Sequence, residues 1–539
     1  MSSFFTLPGS AKRKRSDAAG NKTKKTRSTD APAGGAKRSR KGKDEDEISS
    51  ESEDDNAGPR GSDDDEDDEE LANETAAERR IRLAQQYLDN LKGEIAEEHV
   101  DFDAAEIDRD LIAERLREDV AADKGRLYRF IADDYSFGDA LTTLFRMDGG
   151  KTTGIAACNP YIYTVTSNRY LAKWKLPDFP RPEATSNNTP TRRPKRVCFS
   201  RGGRKGDETF EGHTQDIVCV AASQDGKFVA TGGKDHKIVV WNAEDLTILK
   251  VFKQHRGTVT GLVFRRGTNE LYSASADRTV KLWSLNELAY VETLFGHQDE
   301  VVNIAALGAE RCVTVGARDR TARLWKIVDE TQLVFRGGGG TDGKARKNKD
   351  GSIRHEEGSM DVVAMIDEEH FVTGSDNGNL CLWSIHKKKP IHTIPLSHGV
   401  TQPPAPENSS AEADPPQEPP CPPQPRYVTA LAIIPYANLI FSGSWDGVVR
   451  VWKVTSDKRK LEAVSTLGEE HIRGVINSLA VFERGEKANA EIVVCAGTGK
   501  GLRLGNWLNV PGRDGGYVME VKKNALGQNK ADDEEEDDE

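Results

Sequence analysis

The stretch LYSASADRTVKLW, residues 271–283, places an aspartate six residues before a tryptophan, with a strand-like run on each side. The same spacing occurs in TGGKDHKIVVW (231–241) and in VGARDRTARLW (315–325), so the aspartates and the tryptophans both recur every 42 residues. A histidine stands 22 residues before each of these aspartates. One structural unit is therefore repeated along the chain.

A period of about 42 residues, built of short strands with turns every 8 to 12 residues, is typical of the four-stranded blade of a WD-repeat propeller. Looser copies place an Asn or Asp six residues before a Trp, at Asn168 and Trp174, Asn377 and Trp383, and Asp446 and Trp452. The segment EIVVCAGTGKGLRLGNW (491–507) fills the last place, with Trp507 one residue late. The sequence thus predicts an all-β, seven-bladed propeller over residues 125–510.

WD repeats use the aspartate and the histidine as structural groups. The aspartate lies in the turn between the second and third strands, and its bond to the histidine extends to a Ser or Thr and to the Trp indole N–H. In the quoted copy the fourth member is either Ser273 or Ser275. Residues assigned to such networks are His213, Asp235, Trp241, His255, Asp277, Trp283, His297, Asp319, Trp325, Asp446 and Trp452. His355 and His398 are the expected histidines of the Asn377 and Asp446 copies.

The sequence favours a protein that is not an enzyme. Apart from the repeated His and Asp, it contains no phosphate-binding loop, no nucleophile and base pair, and no cluster with metal-ligand spacing. We therefore expect no catalytic residue, no metal, no cofactor and no small-molecule substrate. The seven cysteines are scattered, which favours reduced thiols in a cytosolic or nuclear protein. No run of about 18 apolar residues suggests a membrane span, and the N-terminus does not resemble a secretory signal.

Charge is unevenly distributed along the chain. The formal net charge is −12, but residues 44–70 hold 16 acids against Arg60, and residues 532–539 are eight acids. The remainder carries 75 basic against 64 acidic groups, or +11. Residues 1–70 are predicted to be a disordered tail, basic and then acidic, and residues 511–539 an acidic C-terminal tail. The basic clusters KRKR (12–15), KKTR (24–27) and KRSRKGK (37–43) predict import into the nucleus.

Residues 71–124 show a helical pattern. A capping box from Thr75 to Glu78 precedes apolar residues at steps of three and four, and a second amphipathic run follows. The apolar positions of the two runs are Ile81, Ala84, Leu88, Leu91, Ile95, Ile107, Leu111, Leu116 and Val120. We predict a helical extension that packs either against the propeller or against a partner protein.

Several segments resemble one family of WD-repeat proteins. The run VFRRGTNELYSASADRTVKLWSLNELAYVETLFGHQDEV (263–301), the RLGNW segment (503–507), and the lead-in segments LKGEI, RLREDV and KGRLYRFIA are similar to the WD-repeat protein of the U3 small nucleolar ribonucleoprotein. The resemblance covers roughly residues 75–510. The Pro-rich insertion at 402–425 departs from the family pattern.

The resemblance implies a non-catalytic subunit of the U3 box C/D particle in the nucleolus. Such a subunit binds the box B/C region of U3 small nucleolar RNA (snoRNA) together with a small kink-turn-binding protein. Its further partners are the box C/D core proteins and other proteins of the small-subunit processome. The implied role is in pre-ribosomal RNA processing and small-subunit biogenesis.

Two long basic loops are candidates for RNA contact. RGGRKGDETFEGH (201–213) and RGGGGTDGKARKNKDGSIRH (336–355) both precede blades, so they are expected to open on one face of the propeller. Their candidate phosphate-binding residues are Arg201, Arg204, Lys205, Lys344, Arg346, Lys347, Lys349 and Arg354. Surface loops are often rich in Lys and Gly without any ligand, and that interpretation stays open.

Functions of other classes also fit a propeller with charged tails. The chain could be a chromatin-binding propeller or a substrate receptor of a ubiquitin ligase. The copurifying molecule distinguishes them: one small nucleolar RNA, histones or a cullin adaptor.

Overall fold

The protein is described here from a computed structural model. It describes residues 115–116, 120, 125–147, 150–179, 193–204, 207, 210–337, 358–401, 424–469, 471–485, 490–505 and 510–524. Seven four-stranded antiparallel sheets, the blades, make up this part of the chain. The first strand of each blade contacts the first strand of the next, so these strands form a ring. The predicted all-β, seven-bladed propeller is confirmed.

The strands, in chain order, are β1 (Tyr135–Arg146), β2 (Thr152–Cys158), β3 (Tyr161–Thr166), β4 (Tyr170–Lys175), β5 (Lys195–Arg201), β6 (Ile217–Ala222), β7 (Phe228–Gly233), β8 (Ile238–Asn242), β9 (Ile248–Phe252), β10 (Val259–Phe264), β11 (Glu270–Ser275), β12 (Thr279–Ser284), β13 (Ala289–Phe295), β14 (Val301–Ala306), β15 (Arg311–Gly316), β16 (Thr321–Lys326), β17 (Thr331–Arg336), β18 (Met360–Met365), β19 (His370–Ser375), β20 (Leu380–Ser384), β21 (His392–Ile394), β22 (Val400–Thr401), β23 (Gln424–Pro425), β24 (Val428–Ile433), β25 (Leu439–Ser444), β26 (Val449–Val454), β27 (Leu461–Leu467), β28 (Val475–Arg484), β29 (Glu491–Gly499) and β30 (Gly515–Lys523). Blades 1 to 6 are β2–β5, β6–β9, β10–β13, β14–β17, β18–β21 and β24–β27. A short 3-10 helix, Ala132–Asp134, precedes β1.

The three inner strands of a blade are largely buried on both faces, because each blade lies between two others. In β11, Leu271 packs with Trp283 and with residues of blade 2, whereas Tyr272 and Ala274 pack with residues of blade 4. Successive side chains of a strand point to opposite faces, so one strand contributes to two layers of the core. The hydrophobic core is therefore a series of layers between neighbouring blades.

Blade 7 closes the ring with strands from both ends of the described chain. It contains β28, β29 and β30, and β1 forms its outer strand. β1 and β30 pair antiparallel from Tyr135 with Lys523 to Arg146 with Gly515. Closure of this kind joins the first and last strands of the propeller through backbone hydrogen bonds.

This closure corrects the expected C-terminal boundary of the propeller. The boundary predicted at residue 510 is too early, because Gly515–Lys523 is a buried strand and part of the predicted 511–539 tail is therefore propeller. Tyr517, Met519 and Val521 pack in one core cluster while Val518 packs in another, which explains why this segment forms a strand. The RLGNW segment lies between β29 and β30, and Trp507 is outside the described residues.

A side chain of the same connection crosses the central channel. Arg503, between β29 and β30, donates from Nη1 to the carbonyl oxygen of Thr260 and from Nη2 to that of Val302, each at 3.3 Å. Thr260 and Val302 belong to the first strands of blades 3 and 4. Arg503 thus links blade 7 to the opposite side of the ring and lines a channel of about 230 Å³.

The lead-in to β1 covers the end of the propeller where first and second strands are joined. Arg126 donates to the carbonyl oxygen of Gly308 at 3.1 Å, and the Arg129 amide donates to that of Tyr436 at 2.8 Å. The Arg129 guanidinium also pairs with Glu483 at 2.8 Å. These contacts tie the KGRLYRFIA segment to blades 4, 6 and 7.

Several predictions fall on other parts of the chain. The tail at 1–70 lies outside the described residues, as does the predicted helical extension at 71–124 except for Arg115, Leu116 and Val120, so both stay predictions. Within the described ranges, no helix is long and apolar enough to span a membrane. The same ranges contain no group of His, Cys, Asp and Glu that could hold a metal ion.

Candidate nucleic-acid interface

The repeated histidine and aspartate form the expected buried network in blade 3. Nδ1 of His255 lies 2.8 Å from an Asp277 carboxylate oxygen, and Nε2 lies 2.8 Å from Oγ of Ser273. Ser273 also accepts a hydrogen bond from Nε1 of Trp283 at 2.9 Å. Ser275 instead accepts from the Asp277 amide at 3.2 Å, so Ser273 is the fourth member.

Three other blades repeat this network. They contain His213, Asp235, Thr231 and Trp241; His297, Asp319, Thr314 and Trp325; and His398, Asp446, Ser442 and Trp452. In blade 6 the histidine and the aspartate are 48 residues apart, because the Pro-rich insertion lies between them. A two-residue ladder of Val400 with Pro425 brings the ends of that insertion together.

Blades 1 and 5 have a reduced network. Trp174 donates to Thr164 at 2.8 Å and Trp383 donates to Thr373 at 2.9 Å, with asparagines in the aspartate positions. His355, the expected histidine of blade 5, lies outside the described residues.

Electrostatics match a structural role for the aspartates. Burial alone would raise the pKa of Asp277, but hydrogen bonds from His255, Thr279 and the Arg256 amide together lower it below its usual range. The pKa of Asp319 is lowered in the same way. The lowered pKa values favour the ionised form, in which these carboxylates accept hydrogen bonds within the protein.

The networks define one end of the propeller, which we call the tetrad face. It carries the turns between second and third strands, with the tetrad aspartates, and the connections that carry the histidines. Each His–Asp contact ties a connection to a turn, so the backbone of this face is held in a fixed arrangement.

The first basic loop opens on the tetrad face. Arg201, at the end of β5, is exposed, and its guanidinium carbon lies 5.3 Å from the centre of the Tyr170 ring. Arg204 is exposed as well. The loop is anchored by the Gly203 amide, which donates to the carbonyl oxygen of His213 at 3.0 Å. The remaining predicted contacts, Lys205, Lys344, Arg346, Lys347, Lys349 and Arg354, lie outside the described residues.

The residue after the tetrad aspartate, or its asparagine counterpart, has left-handed backbone in six blades. In blades 5 and 6 this residue is glycine, Gly378 and Gly447, with φ of 73° and 78°. In blades 1 to 4 it is basic: Arg169, His236, Arg278 and Arg320, with φ of 66°, 63°, 67° and 50°. A non-glycine residue in this conformation costs about 1 to 2 kcal/mol. Basic side chains are therefore kept at strained positions around more than half of the tetrad face.

Not all of these side chains are available to a ligand. Arg169 donates to the carbonyl oxygens of Gly203 and Thr214, so it holds the first basic loop. His236, Arg278 and Arg320 are exposed. Blades 3 and 4 add further cations beside them, and we define the basic patch as Arg256, Arg278, Lys281, Arg318 and Arg320.

The basic patch is not among the sites predicted from the sequence. The predicted contacts lie in the two long loops, whereas these cations lie inside the regular repeats. The sequence does contain one signal. The turn between the second and third strands carries Asp-Arg in blades 3 and 4, whereas it carries Asn-Gly in blade 5 and Asp-Gly in blade 6. Glycine is the usual residue at a left-handed position, so arginine there points to a use for its side chain.

The chain is similar to known WD-repeat proteins in sequence. The family model for the WD domain, G-beta repeat, matches residues 207–242, 246–284, 289–326 and 422–453. An uncharacterized WD repeat-containing protein of Schizosaccharomyces pombe is 41% identical, over 83% of this chain and 85% of its own length.

Characterised relatives carry more specific names. Ribosomal RNA-processing protein 9 of Saccharomyces cerevisiae is 35% identical over 84% of this chain and 90% of its own. U3 small nucleolar RNA-interacting protein 2 of Homo sapiens is 35% identical over 81% of this chain and 80% of its own. The crystal structure of RRP9 WD40 repeats matches 70% of this chain and 97% of its own, with a TM-score of 0.55 and 30% identity.

Proposed function

The chain belongs to the family of U3 small nucleolar ribonucleoprotein WD-repeat proteins, and we propose that it is a non-catalytic subunit of that particle that binds U3 snoRNA. The names of the relatives speak of ribosomal RNA processing and of interaction with U3 RNA. On this chain itself, the proposal is carried by the basic patch, in which the exposed Arg278 and Arg320 occupy left-handed backbone positions.

These cations suit a ligand with a regular array of phosphates. Arginines on a rigid backbone neutralise phosphates and release their counterions, which favours binding without reading the base sequence. The tetrads supply that rigidity, because they fix each turn to the neighbouring connection. The opposite end of the propeller is partly covered by the chain's own lead-in segment, which favours the tetrad face for RNA.

The finer proposal concerns the RNA region and the partners. We propose that the chain contacts the box B/C region of U3 together with a kink-turn-binding protein, in contact with the box C/D core and other processome proteins. Arg201 and Arg204 extend the RNA surface toward blade 1, and Lys205, Lys344, Arg346, Lys347, Lys349 and Arg354 complete it. The role is in pre-ribosomal RNA processing and small-subunit biogenesis in the nucleolus, with the N-terminal basic clusters directing import.

Purification of the tagged full-length protein from nuclei tests this function. Sequencing of the bound RNA is expected to show U3 enriched far above other box C/D RNAs. Histones or a cullin adaptor, recovered without U3, would favour a chromatin-binding propeller or a ubiquitin-ligase receptor instead.

A further inference from the structure

A cleft lies on the tetrad face at blade 3, between the connections that enter and leave this blade. Its volume is about 780 Å³, and its lining includes Arg256, Arg278, Lys281, Phe295 and His297. The Asp277 carboxylate also lines it, but that group already accepts bonds from His255, from the Arg256 amide and from Thr279. The remaining charged groups that line the cleft are therefore cationic, and they lie with the ring of Phe295 and the amide of Gln254.

Phe295 is exposed at the rim of this cleft. It is the last residue of β13 and pairs with Thr279 of β12, two residues before the tetrad histidine of blade 4. The residue is 71% exposed, more than any other described phenylalanine. A single exposed apolar residue is common on protein surfaces. Phe295, however, shares its cleft with two arginines, so it presents a flat apolar surface close to positive charge.

The tetrad of blade 3 fixes the backbone at the two arginines. Arg256 follows His255 directly, and Arg278 follows Asp277 with φ of 67°. In the part of the chain that the structure describes, the guanidinium groups of both residues form no hydrogen bond or ion pair, and both residues are exposed. Lys281 is less available, because its Nζ donates to Thr293 at 2.7 Å. Among the described residues, these two charges on a fixed backbone have no partner.

We propose that this cleft binds one unpaired nucleotide of RNA, with its base stacked on Phe295 and its flanking phosphates bound by Arg256 and Arg278. The inference rests on the proposed RNA-binding function and gives that function a specific subsite. A stacked aromatic ring accepts any base, and arginines supply the charge that the sugar–phosphate backbone requires. A base inside an A-form helix has both of its faces covered, so the ligand must be a loop, a bulge or a single strand.

The test compares two RNA probes on the full-length protein. One is a fluorescent single-stranded 12-nucleotide RNA, and the other carries the same sequence in the stem of a hairpin. Phe295→Ala is expected to weaken binding of the single strand roughly 5- to 150-fold, the range for loss of one stacked base. Phe295→Trp keeps a stacking surface and should retain wild-type affinity, whereas Phe295→Leu, which is apolar without a π face, should behave like Phe295→Ala.

Phe130→Ala is the matched control. Phe130 is also an exposed phenylalanine, at 54%, but it lies in the lead-in segment at the opposite end of the propeller. Its replacement should leave the affinity for the single strand unchanged. Arg256→Gln should flatten the slope of log K against log salt by about 0.7 for single-stranded RNA.

The outcomes separate this subsite from the proposed function. Wild-type protein that binds neither probe nor reconstituted U3 RNA would refute the RNA-binding function itself. Wild-type binding with an unchanged affinity in Phe295→Ala would refute the subsite alone. If Phe295→Ala keeps its RNA affinity but loses a copurifying protein, the cleft is a protein contact and the proposal is wrong.

Discussion

Nδ1 of His255 lies 2.8 Å from the carboxylate of Asp277, and this contact joins the connection between blades 2 and 3 to the central turn of blade 3. The same contact fixes the backbone at Arg256 and Arg278, whose side chains line the cleft. The contact therefore stabilises the blade and also fixes the backbone that carries the proposed ligand contacts.

The first prediction concerns this pair. Asp277→Ala should lower the free energy of unfolding by about 1 to 3 kcal/mol, because His255, the Arg256 amide, and the amide and hydroxyl of Thr279 lose their acceptor. Urea denaturation measures the change, and Asp329→Ala, at an exposed aspartate, is the control. An unchanged free energy of unfolding together with abolished RNA binding would show that Asp277 acts on the ligand and not on the fold.

A second prediction separates two classes of aspartate by pH. The pKa of Asp277 is lowered in the folded protein, so its contribution to stability is present above about pH 4 and is lost as the pH falls below that value. Asp361 behaves in the opposite way, because burial and the nearby Asp376 carboxylate raise its pKa to about 6. Above pH 6 the ionised carboxylate of Asp361 lowers the free energy of unfolding, and this destabilisation disappears as the pH falls toward 4.

Asp361→Asn should therefore be more stable than the wild type at pH 7.5, by about 1 to 3 kcal/mol. The difference should shrink as the pH is lowered to 4.5, where the wild-type carboxyl is protonated. Chemical denaturation of both proteins across this pH range measures it. A difference that does not change with pH would show that Asp361 is not the group that titrates.

The third prediction uses the strained backbone of Arg278. Arg278→Gly relieves the strain of the left-handed backbone, but glycine also increases the entropy of the unfolded chain. The free energy of unfolding should therefore be unchanged or higher by up to about 1 kcal/mol. Arg278→Ala keeps the strain and should be less stable than Arg278→Gly. Both variants lose the same charge and should bind RNA equally weakly. Normal RNA affinity in either variant would show that the strained arginine is not a ligand contact.

The basic loops provide the fourth prediction. Replacement of Arg201, Arg204, Lys205, Lys344, Arg346, Lys347 and Lys349 by Ser or Gln should leave the fold intact, because exposed charges contribute little to stability. Each lost phosphate contact should flatten the salt slope by about 0.7 to 0.9. Reconstituted U3 box B/C RNA with the kink-turn-binding partner is the ligand. Wild-type affinity and a wild-type slope would restrict the RNA surface to the basic patch.

The sequence could predict the propeller because blades 2, 3 and 4 keep the same 22-residue spacing between histidine and aspartate, and the other copies could be aligned to them. It could not separate Ser273 from Ser275, since residues two apart share one face of a strand and only the depth along β11 decides which of them meets His255. It placed the end of the propeller too early, because β30 has no tryptophan and follows a long connection. The basic patch depends on backbone angles and on the pairing of Phe295 beside Thr279, which spacing alone does not reveal.

Ultraviolet crosslinking of the full-length protein in cells, with sequencing of the RNA and identification of the crosslinked peptides, tests the central claim most directly. The account predicts that the reads concentrate in the box B/C region of U3. It also predicts crosslinked peptides from the tetrad face, including residues 254–258, 276–281 and 295. Reads spread evenly over all box C/D RNAs, or peptides that come from the lead-in segment at the opposite end, would contradict it.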